Sequence, residues 1–254
     1  MHHEPPPEGA LLGAWEPPAV ALAEGMAPRE VRALFDEVTY AEGALTDGEC
    51  AALAALFAAS GRAVPVGVEG RPGWEDPRVG SRRATAWSPP LAEALWPRLR
   101  PLVPARREAR DHTPTDWHHP TAHRRWRSVG LSPVLRFMAY SRGGRHHGHY
   151  DNAYDYGDGR RTLQSFVLYL TDVAPGAGGR TRFLRDGQEA LPVWARDHGD
   201  WPREALAHEV LLGVTPRRGA ALVFDHRRCH DIERYDGDAP RVIVRGDVVY
   251  RAER

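Results

Sequence analysis

Hydrophobic and polar positions along the 254-residue chain change rhythm near residue 131. Before that point the clearest apolar runs have helical spacing. Thr46, followed three residues later by Glu49, makes a capping box ahead of CAALAALFAASG, where Ala51, Leu53, Leu56 and Phe57 fall on one face and Gly61 offers a stop. Ser88 caps a second helical run, PPLAEALWPRLRPLV, with proline in its first turn. Residues 1–43 are rich in Pro, Ala and Glu and predict a partly mobile segment holding at most one short helix, in PREVRALFDEV. Residues 62–87 alternate short apolar patches with Gly and Pro, which predicts irregular strands. Between Arg106 and Val129 the chain is polar, rich in His, Arg and Trp, and has no period. It reads as a long loop of the kind that forms lids or binding surfaces.

From Leu131 onward the pattern is that of short strands. VLRFMAYS, TLQSFVLYLTD, GRTRFL, EVLLGVTP, AALVFDH and RVIVRGDVVYR are rich in Val, Leu, Phe and Tyr and are bounded by Gly, Pro and Asp. Strands so punctuated, with no helix between them, predict an antiparallel barrel or sandwich with the earlier helices packed outside. The fold class is therefore mainly β with a helical layer (α+β). The expected organisation is a Pro/Ala-rich segment over 1–43 and one domain over 44–254, with the helical layer at 44–130 and the barrel core at 131–254.

Charge and composition narrow the partners. Lys+Arg (34) balance Asp+Glu (34), so the chain lacks the basic field of a nucleic-acid-coating protein, and no nucleic acid is expected. No apolar stretch approaches the roughly 18 residues that cross a bilayer, and the N-terminal sequence lacks a cationic region followed by a long apolar run. No membrane partner is expected, and the expected location is cytoplasmic. Two cysteines, Cys50 and Cys229, make neither a disulfide framework nor a cysteine zinc site. All 34 basic residues are arginine, so any anion anchor must be arginine. The 13 histidines are the contrary signal, because several crowd into RHHGHYD.

Within that run His149 and Asp151 are two apart, and on a strand or its end such residues point to one side and can reach one ion. His230 closes another strand, at the end of AALVFDHRRCH, and is placed to be a third ligand. Two histidines and one carboxylate on one face of an octahedron leave three positions open, the facial triad of non-haem Fe(II) oxygenases. A lone His-x-Asp is weak by itself, His146 and His147 can equally be solvated, and zinc accepts the same three ligands plus water in hydrolases.

HYD, followed in order by YLTD, GGRTRF, PRRGAALVFDHRRCHD and RVIVRGDVVYR, resembles the Fe(II)/2-oxoglutarate dioxygenases, specifically their prolyl 4-hydroxylase-like branch. The likeness runs from Leu135 to Tyr250. It implies a double-stranded β-helix (a jelly-roll, cupin-like core) with iron in its mouth and 2-oxoglutarate chelating the metal. Carried over by position, His149, Asp151 and His230 become the iron ligands, and Arg241 the cation that grips the distal carboxylate of 2-oxoglutarate with paired charge-assisted hydrogen bonds. Thr181 resembles the hydroxyl beside that cation, and Tyr140 the tyrosine that bonds the cosubstrate. Each has an ordinary alternative: Tyr140 as a half-buried strand residue, Thr181 as a β-former, and His226 as a packing residue beside the last ligand. Arg245 rivals Arg241 because both fall on one strand face, with a structural ion pair to Asp247 or another carboxylate as its other role.

The resemblance implies an O2-consuming hydroxylase of an unactivated C–H bond that releases succinate and CO2, with desaturation or cyclisation left open. Halogenating relatives lose the ligand carboxylate, whereas Asp151 is present. A small metabolite or amino-acid-type molecule is the expected substrate. A prolyl or other residue in a polypeptide, and a non-catalytic metal-binding barrel, are the alternatives, and the oligomeric state is open. Pocket-shaping segments are expected in HTPTDWHHPTAHRRWR, in RDGQEALPVWARDHGDWPREALAH, and at Tyr150, Asn152, Tyr154 and Tyr156 after the HxD motif.

Overall fold

Alternation of large side chains on both faces of the central strands gives the molecule two apolar layers. In the computed structural model, residues 14–66, 80–108, 125–188, 191, 195, 197 and 199–253 are described. Their elements are β1 (Arg29–Phe35), β2 (Val38–Glu42), α1 (Asp47–Ala59), β3 (Val64–Pro65), β4 (Ser81–Trp87), α2 (Pro89–Leu99), β5 (Arg106–Glu108) and β6 (Arg125–Leu131). There follow β7 (Val134–Tyr140), β8 (His146–His149), β9 (Arg160–Tyr169), β10 (Thr181–Leu184), β11 (Val210–Val214), β12 (Ala221–Asp225), β13 (His230–Ile232) and β14 (Arg241–Ala252).

The larger sheet runs β1-β2-β12-β9-β14-β7-β4-β3, with β6 pairing the far end of β14 and β5 pairing β6; the smaller runs β11-β10-β13-β8. Two antiparallel sheets face each other as a jelly roll, the expected mainly β architecture. Tyr140, Tyr169, Phe224 and Ile243 from the inner face of the larger sheet pack against Phe183, Val214 and Ile232 of the smaller. The intervening residues Leu135, Phe137, Phe166, Leu168 and Val244 point outward, against Cys50, Leu53 and Phe57 of α1 and Leu91, Leu95 and Leu99 of α2. Central β9 is buried on both faces, which is why its second half, Phe166–Tyr169, is an unbroken apolar run, while Thr162, Gln164 and Ser165 before it are buried polar residues.

Both helices start where their caps predict: Thr46 and Glu49 exchange hydrogen bonds, and Ser88 accepts from the Leu91 N–H. The buried stripe of α1 is Cys50, Leu53 and Phe57, with Leu56 only half-buried and Ala51 exposed, a shift from the expected face. Glu49 sets it, because its carboxylate is drawn inward to the buried Arg98 of α2 through two contacts of 2.8 Å. The segment PREVRALF is not a helix but β1, hairpinned to β2, which pairs with β12 at the sheet edge. A waiting edge of unpaired backbone groups overrides weak local helix preference. Likewise the ends of the expected long loop form β5 and β6, so the layer before residue 131 holds strands as well as helices. Residues 109–124, with most of the HTPTDWHHPTAHRRWR segment, lie outside the described residues, as do several positions between 189 and 198.

Candidate active site

His149 is the last residue of β8 and His230 the first of β13, and the two are direct partners across the smaller sheet. The chain leaves β8 through Tyr150 to Asp151, which is buried. One ligand-capable atom from each of His149, Asp151 and His230 lies within 4.8 Å of the others. His149 Nδ1 lies 2.8 Å from the His147 carbonyl, and His230 Nδ1 lies 2.9 Å from the Arg228 carbonyl. A carbonyl only accepts, so both Nδ1 atoms carry the proton and both Nε2 atoms present lone pairs. Those Nε2 atoms sit 3.9 and 3.7 Å from the two Asp151 oxygens. Burial, together with the neighbouring histidines, holds the His149 imidazole well below its usual range, and burial lowers that of His230. Burial pushes the Asp151 carboxyl up, but Arg245 and the two histidines overcome it and hold the group well below the usual carboxylate range. Two neutral imidazoles and one carboxylate converging on a point are a donor set fit for a divalent cation.

Asp151 is held from behind. Arg245 Nη2 contacts Oδ1 at 2.7 Å, and the Ser165 hydroxyl donates to Oδ2 at 2.5 Å. Arg245 also reaches Asp247 at 3.3 Å, and Asp247 is further bound by Arg136 and His226, each at 3.2 Å. Arg245 therefore makes the carboxylate pair that was its alternative reading, and His226 is a buried packing residue bonded to Asp247. Ser165 and Arg136 carry no local sequence signal; their signal is register, since Ser165 lies opposite Asp247, and Arg136 opposite Arg245.

Deeper between the sheets lies Arg241, 0% exposed. Its guanidinium stands 4.8 Å from the Tyr140 ring centre and 5.8 Å from that of Tyr169. Nη2 donates to Thr181 Oγ1 at 3.3 Å, and Thr181 also accepts from the Tyr169 hydroxyl at 2.9 Å. Nε and Nη1 are buried without a hydrogen-bond partner, and among the described residues no carboxylate pairs with this arginine. A buried cation with two idle N–H groups is costly unless an anion arrives. A carboxylate-bearing cosubstrate fits that vacancy in bonding, and the expected trio Arg241, Thr181 and Tyr140 meets there. Tyr169, absent from the sequence reading, completes the cluster; it occupies the inner-face position opposite Ile243.

Residues 135–246 match the model of the 2OG-Fe(II) oxygenase superfamily. Over that stretch, its barrel core, the chain carries a 2OG-Fe(II) oxygenase domain. It is a dioxygenase that uses iron and 2-oxoglutarate. Solved structures similar to this oxygenase include a Pseudomonas putida prolyl-4-hydroxylase (18% identity, 85% of this chain and 93% of that one, TM-score 0.49). Others are the epimerase SnoN with Fe3+, alpha ketoglutarate and nogalamycin RO (18%, 85% and 79%, TM-score 0.49) and HygX from Streptomyces hygroscopicus with nickel, 2-oxoglutarate and hygromycin B (15%, 85% and 83%, TM-score 0.44). No curated protein matches the chain significantly. No helix among the described residues is long and apolar enough to cross a membrane.

The oxygenase has a cavity of about 1080 Å³ between α2, β6 and the far end of β14; none of His149, Asp151 and His230 lines it. Arg136 and Asp247 line it, as do Tyr154 and Tyr156 from the segment that follows Asp151. Tyr150 instead packs away from it, against Leu184 and Cys229.

Proposed function

We propose that this oxygenase hydroxylates an unactivated C–H bond of a small metabolite or amino-acid-type substrate, with His149, Asp151 and His230 as iron ligands and Arg241 as the anchor of 2-oxoglutarate. The observation that carries the reading is the buried, unpaired Arg241 guanidinium, set on the same inner strand face as Arg245, which grips Asp151. A dead barrel or a zinc hydrolase has no need of it.

When bound, iron and 2-oxoglutarate supply the O2 activation, with succinate and CO2 released and the substrate C–H bond oxidised to an alcohol. The chain's own residues supply placement. His149 and His230 offer Nε2 lone pairs, each kept in that tautomer by a backbone carbonyl, and Asp151 offers a carboxylate whose orientation Arg245 and Ser165 fix. Arg241 turns its idle Nε–H and Nη1–H groups to the distal carboxylate, while Thr181 fixes the third nitrogen. Tyr140 and Tyr169 wall the guanidinium on two sides, excluding water and strengthening the ion pair that forms there.

An anaerobic Fe(II) titration in the presence of 2-oxoglutarate tests the reading through the weak visible charge-transfer band of the chelate. The band should appear for the native chain and be lost in His149→Ala. Oxidised product formed at full rate without 2-oxoglutarate sinks the reading.

A further inference from the structure

Four arginines stand abreast on the cavity wall. Arg106 of β5 lies in register with Arg127 of β6, Arg127 with Arg251 of β14, and Arg251 with Arg160 of β9. All four line the cavity. Side chains directly opposed on antiparallel strands have Cβ atoms roughly 4.5–5.5 Å apart, and like charges so placed repel. The outer two are compensated, Arg106 by Glu253 at 2.9 Å and Arg160 by Asp158 at 2.7 Å. The inner two, Arg127 and Arg251, make no ion pair within 4 Å among the described residues; both are exposed, and Arg251 feels only the more distant Asp158, whose carboxyl it helps to depress. Folding gains little from two guanidiniums held side by side there. An oxyanion placed between them removes the repulsion and takes charge-assisted hydrogen bonds from both.

The remaining walls mix apolar and aromatic surface with the charged Glu93, Arg100, Arg136 and Asp247; Trp96 of α2 stands on one side and Tyr156 on another, the latter stacked under Arg160 at 4.7 Å. The volume suits one metabolite-sized molecule. Asp247 and Arg136 line the cavity too, and Asp247 pairs with Arg245 at 3.3 Å, which in turn holds Asp151 at 2.7 Å, so two ion pairs separate the cavity from the candidate metal site.

We propose that this cavity is the substrate site and that the substrate is a small organic anion, its phosphate or carboxylate held by Arg127 and Arg251 and its apolar body lying against Trp96 and Tyr156. The assignment rests on the reading that His149, Asp151, His230 and Arg241 form the reaction centre.

Calorimetry on the full chain with Fe(II) and 2-oxoglutarate under argon tests it, with phenyl phosphate as the probe and benzyl alcohol as its neutral counterpart. Phenyl phosphate should bind, more weakly as salt rises, and benzyl alcohol should not compete. Arg127→Gln and Arg251→Gln should each weaken phenyl phosphate about tenfold or more, while the melting temperature of the free protein holds or rises because a repulsion is relieved. Equal affinity for both probes, or affinity unchanged in the two variants, overturns the proposal. So does a single-stranded oligonucleotide or a proline-rich peptide that binds through these arginines more tightly than phenyl phosphate. Succinate release is followed in parallel: if it is absent while phenyl phosphate still binds, the reading of the centre fails and the anion site stands. If it proceeds normally without phenyl phosphate binding, only the anion site fails.

Discussion

Replacing Arg241 with methionine removes a fully buried cation and keeps a side chain that fills much of the same space. In the free protein this costs little, because Nε and Nη1 bond to nothing and the desolvation of the charge is already borne by the fold. The effect appears on adding 2-oxoglutarate. A ligand at a hundred times its dissociation constant stabilises the folded state by about 2.7 kcal/mol. For a domain of about 150–250 residues, each 1 kcal/mol moves the melting temperature by about 2–4 °C, so the native chain should gain about 5–11 °C. Removing one partner of a buried charge pair costs about 3–5 kcal/mol, which is more than a hundredfold in affinity.

At the same 2-oxoglutarate concentration the variant is then at or below half saturation. Its stabilisation falls to about 0.4 kcal/mol or less, a shift of about 1–2 °C at most. The assay is thermal unfolding of iron-loaded protein under argon, with and without 2-oxoglutarate. Two outcomes refute the reasoning. A full shift in the variant means the anchor lies elsewhere. A loss of about 6 °C or more in the free variant means Arg241 is already paired in the fold.

Asp151→Gly should remove hydroxylation in a protein whose circular dichroism remains that of the native fold, although the lost partner of Arg245 lowers its stability; wild-type turnover would exclude Asp151 as a ligand. Arg245→Met strands the buried Asp151 and Asp247 carboxylates and should cost about 3 kcal/mol in urea unfolding of the metal-free protein; an unchanged midpoint contradicts the pairing. The pH dependence has a definite sign. Burial lowers the His149 and His230 imidazoles below 6.5, so the folded state binds fewer protons than the unfolded chain, and stability drains away as pH falls below about 6.5. The depressed Asp151 and Asp247 groups add their losses only below about pH 4, so a flat melting temperature between pH 7.5 and 5.5 would contradict the histidine environment. Burial lifts the Cys50 thiol to about 11 and the Cys229 thiol to about 12, so iodoacetamide should label neither in the folded protein at pH 8, as mass spectrometry can check.

Sequence pattern exposed some of this site and hid the rest for physical reasons. Short apolar strands bounded by turn residues mark β7, β12 and β14, and caps mark both helices, because these signals are local. The two-residue spacing of His149 and Asp151 is local too. That His230 meets them depends on β13 pairing with β8, a long-range register that only an ordered family resemblance could supply. The strand Arg29–Phe35 is hidden in the sequence because its fate is decided by the free edge at β12 rather than by its own residues. The Arg106, Arg127, Arg251 and Arg160 ladder is invisible in sequence, since its members come from four strands and look like ordinary surface arginines in a chain without lysine.

Strand β14 shows how one alternating face can carry several jobs. Arg241, Ile243, Arg245, Asp247, Val249 and Arg251 all project to the same side, from the deep interior to the outer cavity. Alternation alone cannot tell Arg241 from Arg245; what separates them is the company that depth provides. Arg245 lies level with Asp151 and Asp247 and is neutralised by both, so it serves the fold and steadies a proposed ligand. Arg241 lies among tyrosines and a threonine, and Arg251 beside another arginine with only the more distant Asp158 near it, so neither makes an ion pair within 4 Å among the described residues. A folded protein tolerates uncompensated charge where something outside the chain completes it. The two places on this strand where compensation is missing are therefore the two where a bound carboxylate or phosphate is expected, with the candidate metal site between them.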